Sequence, residues 1–340
     1  MTLALVTGAT GFIGQHLVHR LVRSGVAVRA LVRERRDRGP HRPRLDPPLD
    51  APEVDVAWGD VTDADAVTRA LDGADAVYHL AGYALAWARH DRVYRDVNVH
   101  GTQIVCRAAR RHGVRRLVHV STELVDGGDD DPRLELTAYQ RTKLEGERAV
   151  RAYADSGGSA VIVRPTRVFG PGVLSQSNGV TLLIDLYRRG LFRVRIADGG
   201  ARANYVYVED VIEGILLAAQ SDTAAADYVL GGEDATLPEL LAAVADATGT
   251  RRAVLAVPKG VAKSVAAAAE ALGVLGIRPF ITRDWTELLS LDRPASSERA
   301  HRELGYGPRR LIEGVRKTVR WLEGGRPSPF ANRTSASRST

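Results

Sequence analysis

Residues 7–14 read Thr7-Gly8-Ala9-Thr10-Gly11-Phe12-Ile13-Gly14, and the apolar run Leu3-Ala4-Leu5-Val6 leads directly into them. Behind them Leu17, Val18, Leu21 and Val22 recur at helical spacing over 13–23. A strand, a glycine-rich turn and a helix in immediate succession is the setting in which this glycine pattern carries weight. Gly8 permits a tight turn, Gly11 lets backbone amides approach a pyrophosphate, and Gly14 allows close helix–strand packing. The helix N-terminus adds unpaired N–H groups and a partial positive charge. Thr10, Phe12 and Ile13 complete the expected phosphate cradle.

Outward from this turn, continuous apolar runs predict strands over 3–7, 26–32, 54–58, 76–80, 117–121 and 160–163. Runs without polar alternation fit parallel strands covered on both faces. Helical patterns fall between them at 64–71, 98–112 and 138–156. The order predicts an α/β fold, a Rossmann-type doubly wound parallel sheet with right-handed crossovers. Residues 1–164 are expected to form the dinucleotide-binding domain and 165–324 a smaller, mostly helical substrate lobe interleaved with the sheet edge. The Pro/Ser/Arg-rich stretch 325–340 reads as a disordered tail. Residues 34–53, rich in Arg and Pro, read as an exposed excursion, and 126–132 as a loop whose Asp129-Asp130-Asp131 is solvated or part of a lid.

The chain has 340 residues, 44% hydrophobic and 26% charged, which excludes whole-chain disorder, collagen and coiled-coil architectures. Its single cysteine, Cys106, excludes an intramolecular disulfide or a multi-cysteine metal site and suits a reducing compartment. Cys106 reads as a packed thiol. His16 and His19 share a helix face with no third ligand at hand, so no metal is expected. No signal peptide is visible, and the most apolar window, 261–277, is interrupted by Lys263 and Glu270, so no membrane span is expected and a cytoplasmic protein is the simplest reading. The net charge of +6 comes from arginines interspersed with acids, without an aromatic-interleaved basic stripe. Small anionic ligands are the expected partners rather than nucleic acid.

After the second strand the chain reads Leu31-Val32-Arg33-Glu34-Arg35-Arg36. An NAD site usually carries an acid there for the ribose hydroxyls; Arg33, with Arg36 behind it, instead suits the 2′-phosphate of NADP. The alternative is a solvated basic loop with Glu34 as the ribose partner, which leaves NAD open. Asp60 and Val61, after the third strand, are placed to meet the adenine, and Asp60 is also a candidate helix N-cap.

Tyr139 and Lys143 stand at i and i+4, on one face of a helix. A phenol with an unperturbed pKa of about 10 becomes a useful acid or base when a cation lies beside it, and Lys143 is the expected cation. Tyr139 can then exchange a proton with a carbonyl or alcohol oxygen. Ser121-Thr122 closes the fifth strand, at the sheet edge where doubly wound folds hold ligands.

The chain resembles the extended short-chain dehydrogenase/reductase superfamily over nearly its whole length. The marks are residues 7–14, His79-Leu80-Ala81-Gly82, Asn98-Val99-His100-Gly101-Thr102, Ser121-Thr122, Tyr139 with Lys143, Arg164-Pro165, Phe169-Gly170-Pro171-Gly172 and residues 205–211. The resemblance implies that Thr122, Tyr139 and Lys143 are catalytic and that Lys143 also holds the nicotinamide ribose. It further implies that Leu80, Ala81 and Gly82 line the cofactor, that Asn98 supports the fourth helix, and that 164–169, with Pro165, Thr166 and Val168, passes near the nicotinamide. A monomer or homodimer is the implied assembly.

Two branches compete. Sugar-nucleotide epimerases and dehydratases usually carry an Asn two residues before the aromatic–Gly–Pro turn, where this chain has Arg167. Residues 205–211 and Arg33 look more like the dihydroflavonol-reductase and 3β-hydroxysteroid-dehydrogenase branch, which acts on hydrophobic ketones and alcohols. Tyr83, Leu85 and Trp87 then supply an apolar wall, or else serve as loop anchors. Glu123, after Thr122, departs from the small or apolar residue usual there and bears on how the substrate oxygen is approached. The first expectation is therefore an NADPH-dependent ketoreductase or alcohol dehydrogenase acting on a polycyclic, aryl or steroid-like substrate. The alternatives are an NAD-dependent epimerase or dehydratase, or a non-catalytic dinucleotide-binding subunit or sensor.

Overall fold

The computed structural model describes residues 2–33, 49–85, 88, 90–126, 137–197, 200–221, 226–274, 282–283, 286–287 and 290–325. Strands β1 (Leu3–Thr7), β2 (Ala27–Val32), β3 (Val54–Trp58), β4 (Ala76–His79), β5 (Arg116–Val120) and β6 (Ala160–Pro165) form a sheet with β10 (Asp227–Leu230) in the order β10-β6-β5-β4-β1-β2-β3. Every pairing in it is parallel. The expected doubly wound sheet is present, and each strand boundary falls within two residues of its expected position.

The reason lies in the apolar runs. Along β1, Ala4 and Val6 enter one core with Leu17, Val18 and Leu21 of helix α1 (Phe12–Arg23) and Val211, Ile212 and Ile215 of helix α7 (Val208–Gln220). Leu5, between them, enters the opposite core with Val67 of α2 (Ala64–Ala70), Val105 and Ala109 of α4 (Thr102–Arg111) and Val150 of α5 (Ala138–Asp155). Successive side chains leave opposite faces of a strand, so a strand buried on both sides is apolar at successive positions, and the buried polar groups Thr7 and His79 are paired with one another.

The strand order reverses between β1 and β4, which pair side by side with Thr7 opposite His79. Ligand crevices of such sheets open beyond the carboxyl ends of strands at that point. After β6 the chain alternates between sheet edge and lobe. A three-stranded sheet joins β7 (Arg167–Phe169), β9 (Arg202–Tyr207) and β11 (Glu233–Thr236), while β10 returns to the main sheet beside β6. A third core packs Phe169, Tyr205 and Tyr207 with Leu240 and Val244 of α8 (Leu237–Thr248) and Val315 and Val319 of the helix Leu311–Glu323.

The helix expected over 98–112 begins as a π-helical turn, Asp96–Gly101, before α4. Such turns recur at functional sites, and this one carries Asn98. The expected N-cap role of Asp60 is corrected. Asp63 caps α2, accepting from the N–H groups of Asp65 and Ala66, while Asp60 accepts from the Thr62 N–H and hydroxyl in the preceding turn. Three residues separate Asp60 from the helix, one turn too far to reach its first free amides. Among the described residues no helix is long and apolar enough to cross a membrane.

Candidate active site

The glycines of the first turn leave no alternative at two positions. Gly8 has φ +70°, and a Cβ there would lie 2.7 Å from the backbone of Leu80 and Ala81. On Gly14 a Cβ would meet the Gly8 carbonyl oxygen at 2.2 Å, so α1 sits against the turn. The Gly11 N–H bonds the Gly8 carbonyl at 2.9 Å, and the first helical bond runs from the Gln15 N–H to the Gly11 carbonyl. The amides of Phe12, Ile13 and Gly14 therefore stand ahead of the helical ladder, beside an exposed Thr10 and Gly11 and with no acid in the first turn. This arrangement fits the pyrophosphate of a dinucleotide. Phe12 itself is buried; its ring packs edge-on against His16, whose Nε2 bonds the Pro171 carbonyl at 2.8 Å.

Beside the turn, the edge segment after β4 is held by a buried chain of hydrogen bonds. Thr102 donates to the Asn98 carbonyl (2.8 Å), so its oxygen accepts from His79 Nε2–H (3.0 Å). His79 Nδ1 then accepts from the Thr7 hydroxyl (2.7 Å), whose oxygen accepts the Ala81 N–H (3.2 Å). Every group is satisfied with a neutral imidazole, and burial pushes the His79 pKa down to about 3. Leu80 and Ala81 are thereby fixed half-buried, with Gly82 exposed at the crevice. Asn98 extends the fixture: Oδ1 accepts the Tyr83 N–H (2.7 Å) and Nδ2 donates to Thr142 Oγ1 (3.1 Å) on α5.

Helix α5 carries Tyr139 and Lys143 and starts at a capping box between Thr137 and Gln140. Gln140 Nε2 also donates to the Leu124 carbonyl (3.1 Å), tying the helix start to the 3₁₀ turn Glu123–Val125 that follows β5. The ammonium of Lys143 is buried and donates to the Val120 carbonyl at 2.9 Å. It faces the β4 edge, since a Cβ on Gly82 would lie 4.0 Å from it. Burial lowers its pKa to about 8, against the opposing pull of Glu147.

Tyr139 is hydrogen-bonded to the Thr122 side chain, and Thr122 Oγ1 donates to Glu123 Oε2 (3.1 Å) and accepts the Leu124 N–H (3.3 Å). The three expected catalytic side chains thus meet at the carboxyl end of β5. The expected effect of Lys143 on the phenol is corrected: burial and the Glu123 carboxylate push Tyr139 above the ordinary phenol range. The ammonium donates to Val120, and the charge acting most on the phenol is that of Glu123, opposed by the Thr122 hydrogen bond. Burial likewise pushes the Glu123 carboxyl up, while the charges of Arg167 and Arg293 and the Thr122 bond pull it back.

Arg33, exposed at the end of β2, has Nη1 4.0 Å from Asp60 Oδ2, so the expected 2′-phosphate cation and adenine-edge acid face each other across β2 and β3. Val61 is buried and packs on the π-helical turn before α4, where a Cβ on Gly101 would come within 2.9 Å of it. Pro165 ends β6, and Thr166 is buried with its hydroxyl on Asn204 Oδ1 (2.9 Å). Val168 packs against the first core, and Arg167 lies over the Tyr205 ring at 5.9 Å. Tyr83 stacks edge-on with Tyr94 (4.9 Å), whose hydroxyl donates to the Leu85 carbonyl (2.6 Å), so these two residues are anchored in the loop. Arg36 and Trp87 lie outside the described residues, as do Asp129-Asp130-Asp131 and 326–340. Cys106 is buried, which pushes its thiol up to about 12, as a packed thiol requires.

Sequence reasoning missed the ion pair under α5. Arg164 meets the fully buried Glu147 through two arms and reaches Asp126 and Asp227 with the third. Spacing offered one signal: Glu147 continues the i+4 series Tyr139, Lys143 along the buried side of the helix. Arg293 was also missed. It hydrogen-bonds the Arg202 carbonyl from a segment without a motif, 170 residues from Glu123 by number.

Residues 4–231 match the NAD dependent epimerase/dehydratase family. The chain is 32% identical over 335 residues to the 2-alkyl-3-oxoalkanoate reductase of Stenotrophomonas maltophilia, covering 92% of this chain and 97% of that protein. It is 30% identical over 335 residues to sterol demethylase protein B of Methylococcus capsulatus, covering 94% of this chain and 97% of that one. The solved structure of MoeE5 in complex with UDP-glucuronic acid and NAD superposes with a TM-score of 0.73 at 27% identity, over 95% of this chain and 99% of that one.

Proposed function

This chain belongs to the NAD dependent epimerase/dehydratase family, within the extended short-chain dehydrogenases/reductases, and as such is an NAD(P)-dependent oxidoreductase-type enzyme; from that premise we propose that it is an NADPH-dependent reductase of a ketone on a hydrophobic substrate. The observation that carries the reading is the placing of Tyr139 at the crevice, hydrogen-bonded to Thr122, with burial pushing its phenol above the ordinary range. A nicotinamide held there would supply the hydride. Tyr139 gives a proton to the carbonyl oxygen as charge develops there, Thr122 orients that oxygen, and Lys143 holds the ribose beside Gly82. The amides of Phe12 to Gly14 take the pyrophosphate and Arg33 the 2′-phosphate, with Asp60 and Val61 at the adenine. Tyr83 and Arg167 bound the substrate side.

The similarity to a reductase of 2-alkyl-3-oxoalkanoates supports a carbonyl flanked by alkyl chains. A 2-alkyl-3-oxo acid and an aryl ketone, offered with NADPH and followed by loss of its absorbance, test the proposal. Turnover with either, lost in Tyr139→Phe, supports it; unchanged turnover in that variant removes Tyr139 from its role. The second reading, a sugar-nucleotide epimerase retaining NAD, is favoured by the likeness to MoeE5. It requires NAD to be released from the purified protein on denaturation.

A further inference from the structure

Glu123 occupies a position that the reduction itself leaves unexplained. It opens the 3₁₀ turn directly after Thr122, and the turn is clamped from two sides: Gln140 Nε2 and Arg293 Nη2 both donate to the Leu124 carbonyl, at 3.1 and 3.4 Å. The carboxylate accepts from Thr122 Oγ1 at 3.1 Å, and that oxygen is the one hydrogen-bonded to Tyr139. The hydroxyl has a single proton, so while it donates to Glu123 it meets the phenol as an acceptor. Tyr139 O–H, Thr122 O–H and the Glu123 carboxylate then form a chain in which each donor points away from the phenol.

We propose that Glu123 is a positioning residue: by its charge, and by engaging the one Thr122 proton that would otherwise stabilise a phenolate, it keeps Tyr139 in the proton-bearing form, setting the resting site for carbonyl reduction rather than alcohol oxidation. This rests on the reading of Tyr139 as the acid of the reaction.

A phenol must carry its proton to protonate a ketone and must have lost it to accept one from an alcohol. A carboxylate beside it disfavours a second negative charge. The groups facing the pair are Arg167 from β7, Arg293 from the segment beside β9, Tyr94 from the helix Arg92–Arg95, and Lys143 on α5 itself. Arg167 and Arg293 act on Glu123 and favour its charged form; Lys143 is turned to Val120. Burial pushes the carboxyl up and the two arginines oppose that shift, while its Oε2 meets the hydroxyl chain.

The test needs no substrate and no cofactor. Phenolate absorbance near 295 nm is recorded against pH over the alkaline range in which circular dichroism shows an intact fold. The same record for Tyr139→Phe is subtracted, once in the parent background and once in Glu123→Gln. Expected is about tenfold more Tyr139 phenolate at a given pH in Glu123→Gln, a shift of about one pH unit, with Glu123→Asp staying near the parent. Glu123→Ala serves as a second neutral variant and shifts the same way. Equal phenolate in parent and both neutral variants overturns the proposal, as does an equal shift in Glu123→Asp. Turnover in Tyr139→Phe is a separate measurement, so failure of the functional reading is told apart from failure of this one.

Discussion

Arg164 closes on Glu147 with Nε to Oε1 at 2.9 Å and Nη2 to Oε2 at 2.8 Å, both groups buried beneath the helix that presents Tyr139 and Lys143. Glu147 lies one turn beyond Lys143 and raises that ammonium's proton affinity, so the pair links the foundation of α5 to the chemistry on its upper turn. Asp126 and Asp227 hold the remaining guanidinium nitrogen, at 2.7 and 2.6 Å.

Removing one side of this pair leaves a buried charge uncompensated, which costs far more than the pair itself contributes. Glu147→Ala is expected to destabilise the fold by about 3 kcal/mol, since Asp126 and Asp227 keep Arg164 partly neutralised. Urea unfolding checks this; a loss under about 1 kcal/mol, the scale of an exposed pair, contradicts it.

The same carboxylate makes stability depend on pH. Burial opposes its charge, but the bonds and charge of Arg164 prevail and hold its pKa below the ordinary value. Its stabilising contribution is therefore complete above the unfolded-state value of about 4.3 and is lost as pH falls through that value and then through the lower folded one. Thermal melts from pH 7 down to pH 3 are expected to fall more steeply in the parent than in Glu147→Gln, whose residue 147 has no proton to take up.

Lys143, with its pKa lowered to about 8, gives up its proton on the alkaline side well before the Tyr139 phenol. Below pH 8 the ammonium is present; above it the charge is lost. The kcat/KM for NADPH-dependent reduction is expected to fall through an alkaline limb near pH 8. That limb should be absent in Lys143→Met, with the residual rate lower by about 100-fold or more.

At Gly14 a methyl group has no room, because the Gly8 carbonyl oxygen would stand 2.2 Å away. Gly14→Ala must push α1 off the turn, at about 1–3 kcal/mol, and displace the amides that face the phosphates. Dinucleotide titration by tryptophan fluorescence, alongside urea unfolding, is expected to show weakened binding together with lower stability.

Arg33, with its side chain 73% exposed, contributes little to the fold. Arg33→Asp is expected to leave the melting temperature unchanged while reversing the preference from NADPH to NADH in a binding titration. An NADH preference in the parent protein would contradict the assigned role.

Much of this was legible beforehand. The span Leu3–Thr7 is legible to the residue because a strand apolar along its length is distinctive in sequence, and Val54–Trp58 is legible although Asp55 interrupts its apolar run. The glycine turn, Tyr139 and Lys143 are legible because backbone geometry or the i+4 repeat ties them to their neighbours in the chain, and Thr122 through the family resemblance. Less was legible after Pro165, where short strands such as Arg167–Phe169 and Glu233–Thr236 pair across 28 residues or more and carry no periodic pattern of their own.

The order of local patterns alone determined that this chain builds a parallel sheet with a phosphate-sized cradle after its first strand. Helix and strand periods are local properties, and a phosphate cradle needs only adjacent backbone. Which charge meets which was decided by tertiary structure. An ammonium four residues from a phenol was expected to govern it, yet folding turns Lys143 onto Val120 and brings Glu123 beside Tyr139, with Arg167 and Arg293 behind. Proton affinities depend on burial and on charges a few ångströms away, and those neighbours come from elements far apart in the chain.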